Sequence, residues 1–348
     1  MLRVLPVIVI AALANACPAC SGDDAANGRA DSVGPGDDID PDVAVGDAAE
    51  TADTGPAPSD VTADAALDIA PDATPDATPD ATIDDSPLGG DRPATLVLPP
   101  DYAPGAPRPL VILLHGYSAT GAIQDAYLGL SRKAAARGFI SVVPDGTTNA
   151  TGLQFWNADP GWCCNFGGSD VDDAGYLLGL VAEASARFTV DPGKVYLVGH
   201  SNGGFMAHKM ACDHADVFAA IASIAGSMPL DADACAPSEP VSMLQVHGTI
   251  DATISYIGSP GQYPGAETTA ERWAGHDGCQ LLPEPTDARD YDVAVLGDET
   301  APRRYPGCSV GAAVELWEMR GSGHIPSFNA DFVPAVLDWL LAHPRAGR

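Results

Sequence analysis

Positive charge is what this chain has least of. Its 348 residues include 17 Lys or Arg against 47 Asp or Glu, a formal net charge of −30. Binding to a phosphate backbone needs a basic face, so nucleic acid is excluded as a partner. The acidity favours solubility and says little about fold. Long apolar runs are scarce as well, and the run Val4–Leu13 is too short to span a bilayer. The six cysteines after residue 20 also lack the paired Cys-x-x-Cys spacing of a zinc site, and no metal is expected.

The charge that is present is unevenly spread. Residues 21–87 hold 18 acidic residues and a single base, Arg29. Asp, Ala, Pro, Thr and Gly dominate residues 21–88, and Pro-Asp-Ala-Thr repeats run from Pro71 to Thr82. Such a segment has too little apolar area to offset chain entropy. Prolines and like charges should keep it extended as a spacer. Before it, residues 1–20 read as an export leader. Arg3 gives a weakly positive start, Val4–Leu13 is the apolar core, and small residues lead to Cys17 and Cys20. Leu13-Ala14-Asn15-Ala16-Cys17 resembles a lipoprotein cleavage box, so a lipid anchor is expected at Cys17 or Cys20. An ordinary cleaved leader is the alternative. Residues 89–348 are then one folded domain, and no further binding module is expected after its last helix.

Export makes cysteine usage informative, because oxidising compartments permit disulfides. Proximity in the chain suggests the pairs Cys212–Cys235 and Cys279–Cys308. Closing loops of that size contributes roughly 3–4 kcal/mol each. Cys163 and Cys164 are left over, either bonded to each other or reduced.

The domain is organised around Val195-Tyr196-Leu197-Val198-Gly199-His200-Ser201-Asn202-Gly203-Gly204. A β-branched, apolar run stops at Gly-x-Ser-x-Gly, and Phe205 to Met210 follow with helical spacing. That is a strand, a tight turn and a helix with a serine at the apex. Glycine is required where strand and helix pass close together. The turn sets Ser201 at the N-terminus of a helix, where free N–H groups stabilise developing negative charge. Alone, the motif is equally a Gly/Ser-rich loop; its place between strand and helix makes it a nucleophile.

Other strands are expected at Ala94–Leu98, Leu110–Leu114, Phe139–Val143, Phe218–Ile224, Val241–Val246 and Val314–Met319. Helices are expected at Asp125–Gly138, Asp170–Phe188, Glu267–His276 and Asp331–Ala342, with a long irregular stretch over residues 147–169. Alternating strands and helices favour an α/β fold, a mostly parallel central sheet with helices on both faces. Active groups in such sheets sit at the carboxyl ends of the strands. His115, Ser201, Asp251 and His324 each lie just past an expected strand.

A serine hydroxyl needs a base, and that base is normally a histidine held by a carboxylate. The order Ser201, Asp251, His324 is the order of the α/β-hydrolase fold. Asp277 and Asp287 are weaker candidates for the acid because no buried strand precedes them. The N–H groups of Asn202 and Tyr117 are the expected oxyanion donors, each worth about 3–4 kcal/mol of barrier. Tyr117, Trp156, Tyr256 and Ile325 are expected to line the substrate cleft. His115 and His247 are read as shaping their loops and His200 as packed on the scaffold. A solvated helix face is the default for His208 and His214.

Together these motifs resemble the polyhydroxybutyrate depolymerase and feruloyl esterase type B branch of the α/β-hydrolases, over about Pro93 to Leu341. The matching stretches include Leu113-Leu114-His115-Gly116, Phe155-Trp156-Asn157, Cys163-Cys164 and Asp172-Asp173-Ala174-Gly175-Tyr176. Ser201-Asn202-Gly203-Gly204, His247-Gly248-Thr249-Ile250-Asp251, Gly278-Cys279 and Gly323-His324 match as well. The resemblance implies the triad Ser201, Asp251 and His324, a secreted serine esterase and no cofactor. Where that branch often has Gly-His-x-Trp-Pro, this chain has Gly323-His324-Ile325-Pro326, so substrate choice stays open. Polyester or hydroxyacid oligomers are one class; feruloyl or acetyl esters on plant polysaccharide are the other. A serine peptidase and a non-catalytic surface-binding protein are the readings from other classes.

Overall fold

The computed structural model describes residues 83–158, 163–309 and 311–347. The leader and nearly all of the acidic spacer assigned from the sequence lie outside the described residues. The last stretch assigned to the spacer is docked. Leu88 is fully buried, and the Arg187 guanidinium donates to the carbonyls of Asp84 and Ser86 at 2.9 and 2.7 Å.

Among the described residues, thirteen strands and six α-helices follow in this order. They are β1 (Thr95–Val97), β2 (Arg108–Leu114), α1 (Gly121–Leu128), α2 (Leu130–Ala135), β3 (Ile140–Val143), β4 (Thr147–Thr148), β5 (Gln154–Phe155), α3 (Asp173–Arg187) and β6 (Val190–His200). Then come α4 (Asn202–Asp213), β7 (Ala220–Ile224), β8 (Ser242–Gly248), β9 (Gly258–Ser259), β10 (Tyr263–Pro264), α5 (Ala266–His276), β11 (Glu284–Pro285), β12 (Thr300–Tyr305), β13 (Val314–Met319) and α6 (Phe332–Ala342).

Nine strands form one sheet in the order β1-β3-β2-β6-β7-β8-β13-β12-β11. From β3 to β13 every pairing is parallel, while the pairings β1–β3, β13–β12 and β12–β11 at the two margins are antiparallel. The central strands are apolar on both sides, as burial under two helical layers requires. On β2, Leu110, Ile112 and Leu114 face one core with Leu177, Leu180, Phe205, Met210 and Trp273 of α3, α4 and α5. Val111 and Leu113 face the other, with Leu128 and Leu130 at α1 and α2 and with Phe332, Val336 and Leu340 of α6. Period-two alternation thus assigns each helix to a face.

The structure departs from the sequence reading in several places, and the short strands β9, β10 and β11 are among those not expected. The helix expected over Asp125–Gly138 is two helices, because Gly129 adopts φ 60° and caps α1, its N–H bonded to the Asp125 carbonyl at 2.5 Å. The irregular stretch over residues 147–169 contains the β4–β5 hairpin. β12 was not expected: Thr300-Ala301-Pro302-Arg303-Arg304-Tyr305 is polar, as suits an antiparallel strand near the margin. The two pairs suggested by proximity, Cys212–Cys235 and Cys279–Cys308, are disulfides, and Cys163 is bonded to Cys164.

Candidate active site

The site is built first by the turn between β6 and α4. Ser201 has φ 55° and ψ −119°, outside the usual regions for a residue with a side chain. Packing over-determines this conformation. A Cβ on Gly199 would lie 2.1 Å from the Gly203 carbonyl oxygen, and one on Gly203 would lie 2.3 Å from that of Leu114. Backbone therefore meets backbone on both sides of the serine, and the chain has no freedom to relax there.

The loop after β8 supplies the carboxylate. Asp251 Oδ1 accepts from the N–H groups of Thr253 and Ile254, both at 2.8 Å. Its Oδ2 faces His324 Nδ1 at 2.7 Å and His247 Nε2 at 3.4 Å. Burial by itself pushes this carboxyl up, but hydrogen bonds from His247 and His324 outweigh it and leave Asp251 well below the usual carboxylate range. A carboxylate only accepts, so His324 Nδ1 carries the proton and Nε2 keeps its lone pair. That is the tautomer a general base needs.

His324 lies on the loop after β13 and is gripped through its backbone. His200 Nε2 donates to the His324 carbonyl at 3.0 Å, with the two rings 5.1 Å apart. Tyr127 donates its hydroxyl proton to the Pro326 carbonyl at 2.6 Å. The chain neighbour of Ser201 thus holds the loop that carries the imidazole. Burial lowers His200 to about 4, which keeps it a neutral clamp.

Across the turn lies the loop after β2. A Cβ on Gly116 would sit 3.3 Å from Ser201 Cβ, so this loop runs directly past the serine. His115, fully buried, donates from Nδ1 to the Gly116 carbonyl and accepts the Gly146 N–H at Nε2, each at 2.8 Å. Burial lowers its pKa, in keeping with a neutral ring that uses one nitrogen as donor and the other as acceptor. The Tyr117 N–H is not used by the turn's own bonds, which run from Ala119 N to Gly116 O and from Ser118 N to Gln154 O. Asn202 opens α4, where the first N–H groups have no acceptor within the helix. Its side chain accepts from Trp156 N at 2.7 Å and donates to the carbonyls of Trp156 and Cys163, both at 3.0 Å. This explains an Asn after the serine: the amide ties the turn to the backbone of Trp156 and Cys163.

Of the four residues expected to line the cleft, Tyr117 and Ile325 reach the surface and the other two do not. Ile325 is 52% exposed. Trp156 is fully buried, its indole N–H bonded to the His115 carbonyl at 3.1 Å. Tyr256 is 9% exposed and sends its hydroxyl to Glu267 and Glu318. Both therefore support the site from below rather than touch what enters it. Phe166, 55% exposed and edge-to-face with Tyr117 at 5.3 Å, is the rim aromatic that the sequence reading missed.

His208 also differs from expectation. It is fully buried on α4 between Trp273 and Gln245, not on a solvated face. Its spacing from Gly204 and Cys212, four residues either way, was the available signal. The paired acids before α3 divide their tasks. Asp172 caps the helix by accepting from Gly175 N. Asp173 is buried and accepts from Arg92 Nη1 and Asn157 N, both at 2.7 Å, and from the Thr147 hydroxyl at 3.1 Å.

Comparison with known proteins agrees with this architecture. The feruloyl esterase B of Piromyces equi is 27% identical over 245 residues, 67% of this chain and 42% of that protein. The poly(3-hydroxybutyrate) depolymerase of Ralstonia pickettii is 28% identical over 206 residues, 55% of this chain and 37% of that protein. The chain thus spans about two fifths of the length of each of these relatives. An acetyl xylan esterase from Aspergillus awamori shares the fold with a TM-score of 0.52 at 18% identity, over 75% of this chain and 97% of that one. The central sheet, its helical layers and the strand–serine–helix turn are those of an α/β-hydrolase fold. Residues 86–295 match the Esterase family, and the chain belongs to that family.

Proposed function

We propose that this protein is a serine carboxylic-ester hydrolase in which Ser201 attacks, His324 is the base and Asp251 holds His324. The observation that carries this is the 2.7 Å contact from His324 Nδ1 to Asp251 Oδ2, on a loop whose His324 carbonyl is held at 3.0 Å by His200, the residue before Ser201 in the turn that opens α4. In the first step His324 Nε2 takes the hydroxyl proton as Ser201 Oγ bonds to the ester carbonyl carbon. The N–H groups of Asn202 and Tyr117 receive the oxyanion. Collapse expels the alcohol, protonated by His324, and leaves an acyl-enzyme. Water then repeats the sequence, with His324 again as base, and releases the acid. No cofactor is part of this scheme.

Polyester or hydroxyacid oligomers are the first substrate class. Feruloyl or acetyl esters on polysaccharide are the second, favoured by the Tyr117–Phe166 aromatic pair on the rim, which suits a flat acyl group. Turnover of hydroxybutyrate oligomers against methyl ferulate separates the two. Three disulfides support an exported enzyme. A lipid at Cys17 or Cys20 remains a proposal from the leader sequence, tested by the mass of the mature N-terminus. Ser201→Ala tests the mechanism: the folded variant should lose p-nitrophenyl acetate hydrolysis by about 10⁴-fold or more. An organophosphonate should label Ser201 in the parent. Retained activity in the variant, or label on another serine, refutes the assignment.

A further inference from the structure

Beneath the carboxylate runs a buried polar chain that the mechanism above does not use. Trp273 Nε1 donates to His208 Nδ1 at 2.9 Å. His208 Nε2 meets Gln245 Oε1 at 3.1 Å. Gln245 Nε2 meets the Gly226 carbonyl at 2.8 Å and His247 Nδ1 at 3.2 Å. His247 Nε2 meets the Ile254 carbonyl at 2.8 Å and Asp251 Oδ2 at 3.4 Å. All four residues from Trp273 to His247 are buried, on the sheet face under α4 and α5.

Donor and acceptor bookkeeping leaves one solution. An indole N–H only donates, so His208 Nδ1 has a lone pair and its Nε2 has the proton. The Gly226 carbonyl only accepts, so the Gln245 amide nitrogen faces it and its oxygen faces His208. The second amide hydrogen then points at His247 Nδ1, which accepts. The Ile254 carbonyl requires a proton on His247 Nε2. Both ends agree, and every donor points towards Asp251. Burial lowers His208 to about 4, consistent with a neutral ring there.

Asp251 has two imidazoles on one oxygen and a single negative charge to share. We infer that Gln245 is a positioning residue that keeps His247 neutral, by occupying its Nδ1 lone pair, so that Asp251 is reserved for the imidazolium formed on His324. This rests on the triad proposed above. Were His247 to take the proton, it would pair with Asp251 and repel a second cation at His324. The other groups facing His247 do not supply the missing control. His200 is neutral. Glu318, its neighbour across the β8–β13 pairing, is engaged by Arg303 and Arg320. Tyr256 packs edge-on against the His247 ring at 5.7 Å and sends its hydroxyl to Glu267 and Glu318.

The test replaces the amide by an acceptor. In Gln245→Glu the group facing His247 Nδ1 invites a proton. We expect kcat for p-nitrophenyl acetate to fall about 10-fold or more, and the acidic limb of the kcat/KM profile to move down by roughly one pH unit, as a nearby cation disfavours protonation of His324. Gln245→Met, which leaves Nδ1 without a donor, should move the limb the same way by less. Nitrogen-15 spectra of the imidazoles give a readout that needs no activity. In the parent protein at the pH of maximal turnover His208 and His247 should appear as neutral Nε2–H tautomers, and in Gln245→Glu His247 should become charged. A parent His247 that is an imidazolium or an Nδ1–H tautomer overturns the inference. So does a Gln245→Glu variant that loses turnover with its pH profile unmoved. Both outcomes leave the triad standing, because loss of activity in Ser201→Ala tests that separately.

Discussion

Asp251 and Asp277 are both buried carboxyls, one just past the end of β8 and the other bonded just before its start, and they have opposite characters. Asp251 meets four donors: two backbone N–H groups and two imidazoles. Asp277 accepts only the Val241 N–H, at 3.2 Å, and its Oδ2 has no partner among the described residues. The first is held below the normal carboxylate range; burial pushes the second up to about 8. Burial is common to both, so the count of donors decides which is an anion at neutral pH. Asp251 is thereby fitted to balance a transient cation, and Asp277 is close to a neutral filler. The contrast also separates two residues that the sequence offers as candidates for the acid: of the pair, Asp251 faces imidazoles and Asp277 a backbone N–H.

The comparison can be broken at its catalytic end first. Asp251→Asn should leave the fold intact and lower kcat about 10⁴-fold, because the amide favours the wrong imidazole tautomer; ester turnover at saturating substrate measures this. Next in size is Asp173→Ala, which strands the Arg92 guanidinium beside Trp156 and Tyr176. Removing one partner of such a pair should cost about 3–5 kcal/mol in urea unfolding. Third is the disulfide next to Asp277. Cys279→Ser with Cys308→Ser should cost about 3 kcal/mol, read from the urea midpoint under non-reducing conditions.

The smallest effect is the most discriminating. Asp277→Asn should change stability near pH 5 by less than about 1 kcal/mol. It should change the pH dependence more. An unfolded Asp releases its proton near pH 3.9, whereas Asp277 holds it to about 8. Between those values the folded state binds the extra proton, so this residue makes stability fall as pH rises. The variant should lose that decline, visible as a smaller drop in Tm from pH 5 to pH 9. Asp251 has the opposite sign: its contribution is present above the unfolded pKa and is lost as pH falls below it.

Much of this was legible in the chain, for identifiable reasons. Continuous apolar runs such as Leu110–Leu114 mark parallel strands, and the glycines around Ser201 mark a close crossing, because both are local consequences of residue type. Gly129 was legible in principle, yet a periodic pattern on both sides concealed the break. Contacts between distant residues were not legible. Arg92 and Asp173 are 81 positions apart, and nothing local says that one neutralises the other. Trp156 and Tyr256 looked like cleft residues because aromatics near a catalytic motif usually are; what buries them is the 3D crossing of loops. His208 was misplaced because a polar residue on a helix defaults to solvent, and its buried partners lie on two other elements.

The way β6 and α4 cross through bare backbone also bears on how such a site can change. Where carbonyl oxygens occupy the space of any added methyl group at Gly199 and Gly203, no substitution can be sampled without collapse. Diversification is thereby channelled to Tyr117, Phe166 and Ile325. A directed-evolution library confined to those three positions should yield new acyl preferences at little risk to folding, while one spread over the turn should yield mainly inactive clones.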